Sequence, residues 1–246
     1  IDNAEIFYEE KKLKSEKIHH LRELKKILHM NKIPRKIECF DIATLNGKFN
    51  TAAMSVFIDG VPDRTLYRQF NIEGEGHPDD YTMMKEVMAR RYQRLQIEKK
   101  DFPDLILLDG GKGQLNAAAE IIDLLGIDIS MASIAEKEEI IFIRDQKEPI
   151  ILPRSSYALK IIQHIRDEAH RFSNTRLAIR YKNDSLKTQL ENIPGIGKAR
   201  AKFLLDTYGS VEKIKTLSQE ELAKLPQIGD RVAENLYRFF HQYNQE

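Results

Sequence analysis

The chain has 246 residues, 41% hydrophobic and 31% charged, enough to bury a core in one large domain or two small ones. No apolar run approaches the roughly 18 residues of a membrane span, and the single cysteine, Cys39, excludes a disulfide framework or a cysteine-built zinc site. Lys and Arg exceed Asp and Glu by 39 − 38 = 1, so bulk charge names no partner. The chain opens on Ile1 without a signal-peptide pattern and reads as a piece of a longer, cytoplasmic protein.

The first 29 residues predict a Glu- and Lys-rich helix, with Leu21, Leu24, Ile27 and Leu28 at helical spacing and a stop at residues 31–34. Three strands follow, at 36–44, 51–59 and 65–72, broken at Asn46-Gly47 and again from Asp59-Gly60 to Asp63. They suggest an antiparallel meander. Asp79 or Asp80 caps a helix running to about residue 98. The wholly apolar run 105–108 predicts a strand buried on both faces, leading into Asp109-Gly110-Gly111 and a helix over 114–125. Further strands are expected at 129–134, 140–143 and 150–152, and a long helix from Ser155 to about Tyr181. The middle of the chain is therefore mixed α/β.

The last 60 or so residues carry a degenerate repeat: Pro194-Gly195-Ile196-Gly197 and Pro226-Gln227-Ile228-Gly229 each sit in a helix, tight hairpin, helix pattern. Charge gathers here too. From Arg171 to Lys215 there are ten Lys or Arg against four Asp or Glu, an excess of 10 − 4 = 6.

The residues that could carry chemistry are few. Asp41 closes the apolar stretch 37–42, and Asp109 closes 105–108. A carboxylate ending a buried strand costs several kcal/mol unless it is paired or bound to a cation. Two of them on neighbouring strands invite one shared cation, and oxygen ligands suit Mg²⁺ or Mn²⁺. Capping the following turn is the other role open to each. His170 borders the apolar stripe of Ile161, Ile162, Ile165, Ala169 and Phe172, one turn after Arg166. It is a third ligand if its helix crosses the ends of those strands, and a structural histidine otherwise. Asp80 is an outer carboxylate or only a helix cap. Asp109-Gly110-Gly111-Lys112-Gly113-Gln114 lacks P-loop spacing, but its glycines admit a substrate backbone and place Lys112 to meet a phosphate. In the tail, backbone N–H groups around Gly195 and Gly197 can point at a phosphate, with Lys198 and Arg200 adding charge. Ile196 packs on the preceding helix or lies along the minor groove. The copy around Gly229 is weaker, because Gln227 replaces a glycine and Asp230 repels phosphate.

The segments Ile37-Glu38-Cys39-Phe40-Asp41-Ile42, Asp79-Asp80-Tyr81, Leu107-Leu108-Asp109-Gly110-Gly111-Lys112-Gly113-Gln114-Leu115, Arg166-Asp167-Glu168-Ala169-His170-Arg171-Phe172 and Ile193-Pro194-Gly195-Ile196-Gly197, in this order, resemble the UvrC family, the incision subunits of bacterial nucleotide excision repair. The resemblance covers essentially residue 36 to the end. It implies an α/β, RNase H-like mixed-sheet endonuclease domain followed by an all-α tandem helix-hairpin-helix domain. The expected divisions are a linker helix at 1–34, the nuclease domain at 35–183 and the hairpin domain at 184–246. The resemblance also implies an Asp-Asp-His triad at Asp41, Asp109 and His170, and a cut 5′ to a lesion. Implied partners are lesion-bearing duplex DNA and a UvrB–DNA complex, whose contact segment, like the family's GIY-YIG nuclease, is not expected in these residues. Ala43, Thr44 and Glu136 depart from residues common in the family. The alternative is a catalytically silent RNase H-like module that docks DNA or a partner, against which the intact triad argues. Another is a ribonuclease or endonuclease V-like enzyme, against which the tandem hairpins favour duplex DNA.

Overall fold

A computed structural model describes residues 3–45, 49–72, 79–135 and 139–242. The break expected at Asn46-Gly47 and the departure at Glu136 lie outside the described residues. The elements in order are α1 (Asn3–Ile27), β1 (Lys36–Leu45), β2 (Phe49–Ile58), β3 (Val61–Pro62), a 3₁₀ turn (Arg64–Leu66), β4 (Arg68–Ile72), α2 (Asp80–Ile97), β5 (Leu105–Asp109), α3 (Lys112–Leu124), β6 (Ser130–Ala135), β7 (Ile140–Ile143), β8 (Ile150–Ile151), α4 (Tyr157–Glu191), α5 (Lys198–Tyr208), α6 (Val211–Lys215), α7 (Gln219–Ala223) and α8 (Gly229–Gln242). They form two compact units, one ending at Leu177 and one beginning at Ala178.

In the first unit the strands build one mixed sheet, in the order β3-β2-β1-β5-β6-β7-β8, with β4 also paired to β2. β1 is antiparallel to β2 but parallel to β5, and β6 continues the parallel run. The meander holds for β1, β2 and β4. The strand expected from residue 65 starts only at Arg68, because Asp63 caps a 3₁₀ turn by accepting from the Thr65 N–H at 3.1 Å.

Side-chain alternation along the strands divides the residues between two layers. Phe40, Met54, Ile106 and Leu108 pack under α2 and α3, with Met84, Met88, Tyr92 and Leu115. Ile37, Cys39, Leu105 and Leu107 point the other way, under α4 and the end of α1, with Leu21, Leu24, Ile161, Ile162, Ile165 and Ala169. The helix expected as a linker thus places its last turns in the core. It is tied to the start of α4 by the Ser156 hydroxyl, which donates to Glu23 Oε1 at 2.7 Å.

α4 does not stop near Tyr181. It runs to Glu191, so the polar stretch at 181–185 is helix, and the boundary between units falls at Leu177 and Ala178, within α4. The second unit has its own apolar core, which includes Leu190, Ile193, Ala201, Leu204, Ile214, Leu222, Leu236 and Phe240.

Candidate active site

Period-two alternation places Asp41 on the same face as Ile37 and Cys39, and Asp109 on the same face as Leu105 and Leu107. That is the face covered by α4. β1 and β5 pair in parallel up to Phe40 and Leu108, so one further step brings the two carboxylates side by side. β1 itself does not end at Asp41: it continues to Leu45 against β2, while β5 ends at Asp109. The chain leaves β5 through Gly110, whose N–H donates to Ile134 O at 2.9 Å.

α4 crosses above this point. Its apolar stripe of Ile162, Ile165 and Ala169 seats it on the sheet, and His170 comes next. His170 Nδ1 lies 3.6 Å from Asp41 Oδ1 and 3.7 Å from Asp109 Oδ2. Ligand atoms of the three residues all fall within 4.8 Å of one another. Asp41 is buried and the Asp109 side chain is only 10% exposed, whereas 47% of the His170 side chain is exposed, so the imidazole stands at the mouth of the cluster.

Burial first, and then the Asp41 carboxylate, push Asp109 up to about 7. Asp41 Oδ2 is buried with no hydrogen-bond partner. Burial, then the charges of Asp109 and Asp41, also push the Cys39 thiol up, so it stays protonated beneath them. An orphaned carboxylate oxygen beside a carboxyl that resists ionisation is a donor set short of positive charge. It fits a small hard cation.

One buried group that the sequence reading gave no role is Glu168. Its carboxylate accepts from the Tyr67 hydroxyl at 3.0 Å, from Arg64 Nε at 3.2 Å and from Arg171 at 2.7 and 2.8 Å. Mainly the Arg171 bonds hold it down at about 2. Phe172 meets the Tyr67 ring edge-on at 5.1 Å. These contacts bind the turn of α4 carrying His170 to the segment before β4. The signal was present in the sequence: Glu168 lies three residues after Ile165 and four before Phe172, on the apolar stripe itself.

The remaining predicted residues are placed as follows. Asp79, not Asp80, caps α2, accepting from the Thr82 N–H at 2.7 Å. Asp80 is exposed and lines a shallow cleft with Gly111, Gly113 and Gln114, outside the cluster of three. Tyr81 lies close against Gly113, where an added Cβ would come within 2.5 Å of its ring. Lys112 opens α3 and donates to Lys147 O at 3.1 Å.

In the tail, Gly195 favours glycine: its φ is +89° and a Cβ would stand 3.0 Å from the Val232 side chain. Gly197 does not, since it caps α5 with φ −92° and has open space at its Cβ. The N–H groups of Gly195 and Gly197 make no backbone hydrogen bond, and Arg200 Nη1 donates to Gly195 O at 2.6 Å. Lys198 is exposed at the start of α5. Ile196 is not at the surface. It is buried in the tail core, and its N–H donates to Ile193 O, because the hairpin needs an apolar plug between helices. The second hairpin departs from the first: Gln227 adopts φ +69° where Gly195 stands in the first copy, and Gly229 has φ +64° where Gly197 is extended.

Residues 25–173 match the model of the UvrC RNase H endonuclease domain, and residues 187–241 that of the SAM-like helix-hairpin-helix tandem. A UvrABC system protein C from Treponema denticola is 47% identical over 217 residues, covering 88% of this chain and 33% of the relative. The protein of that name from Chlorobaculum tepidum is 38% identical over 248 residues, covering 98% of this chain and 39% of the relative. The chain therefore spans between a third and two fifths of these relatives. Among solved structures, Ciona intestinalis endonuclease V in complex with DNA is similar at 10% identity and a TM-score of 0.37, over 58% of this chain and 86% of that one.

Proposed function

The chain belongs to the UvrC RNase H endonuclease domain family, and from that premise we propose that it is a divalent-metal-dependent DNA endonuclease of nucleotide excision repair. The cut it makes lies 5′ to a lesion. The observation that carries this reading is the meeting of Asp41, Asp109 and His170 within 4.8 Å, with an orphaned oxygen on Asp41. Asp41 and Asp109 would hold Mg²⁺ or Mn²⁺, with His170 as a third ligand. When bound, the cation supplies Lewis acidity to a phosphodiester and makes water a better nucleophile.

The chain's own residues do the rest. The buried carboxylates fix where positive charge must sit, and their low-dielectric surroundings strengthen its pull on a phosphate oxygen. His170, half exposed, holds an imidazole where the scissile phosphate enters. The Glu168 network keeps that turn of α4 from shifting. Gly111, with open space where a Cβ would stand, leaves the rim beside Asp109 low enough for a nucleic-acid backbone, and Lys112 adds charge there. Asp80, exposed across a cleft from this rim, is an outer carboxylate at most. In the tail, the unused N–H groups of Gly195 and Gly197, with Lys198 and Arg200, take phosphates of duplex DNA without reading bases. Gly229 offers a second, weaker contact. A UvrB–DNA complex in the cytoplasm is the setting we assign to this activity. The intact cluster disfavours a silent docking module.

The test is incision of a lesion-bearing duplex by a full-length protein of the family carrying these residues, supplied with its partner proteins and Mg²⁺ or Mn²⁺. The unchanged sequence should cut 5′ to the lesion, and Asp41→Ala should not. Equal cutting by both would overturn the reading.

A further inference from the structure

We propose that the groove between β4 and α2 is a second phosphate-binding surface in the first unit, one that holds the DNA backbone away from the cluster of Asp41, Asp109 and His170. The proposal rests on the reading of duplex DNA as substrate and adds to it a contact that neither the cluster nor the hairpins supply.

The groove is lined by Lys36, Arg68, Arg90, Arg91, Arg94 and Lys100, against Glu38, Glu98 and Asp101, a surplus of 6 − 3 = 3 positive charges. Counting Glu86, which holds Arg90 at 2.9 Å from outside the lining, still leaves two. The internal pairing orients these cations without discharging them. Glu38, fully buried, takes Arg91 at 2.6 and 3.1 Å and also has Lys36 within 3.7 Å, so one carboxylate serves two cations. Glu98 likewise serves both Arg94 and Lys100, each at 2.7 Å. Arg68 has no carboxylate partner among the described residues: its Nη1 donates to the carbonyls of Thr65 and Tyr67, at 3.2 and 2.7 Å, and the rest of its guanidinium remains free for a ligand.

Protection of a sheet edge would account for Arg68 alone. It does not account for Arg90, Arg91 and Arg94, which reach the same groove from α2, with Arg90 and Arg94 one helical turn apart. Surplus guanidinium groups facing one open groove suit a polyanion whose phosphates accept from a planar fork.

The register fixes where the groove stands relative to the cluster. Arg68 pairs with Met54, and Met54 pairs with Phe40, the residue before Asp41. Two strand spacings separate Arg68 from Phe40, about 10 Å. Arg68 shares the face of Phe40, opposite that of Asp41, so the groove and the cluster lie on opposite faces of the same sheet.

The experiment is a salt titration of duplex binding by the whole chain, unchanged, as Arg68→Gln/Arg94→Gln, and as Lys26→Gln, a control that removes one exposed charge from α1. The double variant should bind more weakly at low salt, and the slope of log affinity against log salt should fall by about two, roughly one per contact removed. The control should keep the slope of the unchanged chain. Equal slopes for the double variant and the unchanged chain would overturn the groove as a DNA surface and leave an acidic protein segment as its occupant. Failure of the unchanged chain to bind duplex at all would overturn this proposal together with the reading beneath it.

Discussion

Among the described residues, the fully buried polar and charged residues, Glu38, Asp41, Asn50, Thr51, Ser55, Ser133, Glu168 and Ser173, all belong to the unit that ends at Leu177, while the buried residues of the tail core are apolar. On the proposed reading, the first unit bears the desolvation cost of the Asp41 carboxylate because bond cleavage draws on charges that water does not screen. On the same reading the tail needs no fully buried ionisable residue. Holding a phosphate takes only exposed N–H donors and cations on a firmly packed hairpin, and an apolar core supplies the packing.

The sharpest break between the two would come from Asp41→Ala or Asp109→Ala. Each should cut incision more than tenfold, a loss above about 1.4 kcal/mol of barrier stabilisation, while duplex affinity stays where it was. His170→Ala should also slow incision without touching affinity. Parallel assays of cleavage and binding check this, and a variant that lost affinity along with rate would erase the division of labour.

Stability should separate the units by mechanism. Glu38→Ala leaves the partly buried Arg91 uncompensated, and should destabilise the first unit by about 3 kcal/mol or more. Leu204→Ala in the tail opens a cavity instead, at about 3 kcal/mol. Denaturant titrations followed by a probe in each unit would read the two losses. Deleting residues 185–246 should leave the first unit's transition in place, since its two apolar cores draw on no residue beyond Phe172, while duplex binding and its salt slope both fall.

Within the tail, Gly195→Ala should cost about 1 kcal/mol through its positive φ and lower duplex affinity with it. Gly197→Ala should leave stability unchanged, because φ is ordinary there and the Cβ meets nothing. Thermal melts beside binding curves would decide between the two glycines. A further effect is expected on melting with pH. Asp109 titrates near 7 when folded, well above an ordinary carboxylate, so its contribution is present at low pH and lost as pH rises through that value. With chelator present, the melting temperature of the first unit should fall from about pH 4 to about pH 7 and level off above, and Mg²⁺ should oppose the fall by favouring the ionised carboxylate. A melting temperature flat in pH and indifferent to Mg²⁺ would mean that the carboxyls are not short of charge.

Much of this was legible in the residues. The alternation of Ile37, Cys39 and Asp41 against Glu38 and Phe40, the apolar run before Asp109, and the stripe from Ile161 to Phe172 assigned their elements and most of their boundaries. The hairpin repeat was equally plain, but not the roles inside it. Ile196 turned out to be a core plug, and the strained glycine is Gly195, because φ at one turn residue depends on which helices the hairpin joins. The end of α4 was misplaced for a similar reason. A polar stretch at 181–185 reads as a break, yet Leu190 packs in the tail core and rewards ten more residues of helix.

By itself the sequence determined periodicity, turns, caps and the chemistry on offer, since these depend on sterics and hydrogen bonds among near neighbours. Which groups meet was decided only in three dimensions. Asp41 stands beside Asp109 because β1 pairs in parallel with β5 across more than sixty residues of intervening chain. His170 joins them because α4 seats its stripe over that pair of strands, and Glu168 finds Tyr67 and Arg64 only once α4 is seated. Strand register and the crossing of a helix over a sheet follow from the packing of the whole core. A one-residue slip of β1 would have turned Asp41 to the opposite layer and left its local sequence unchanged.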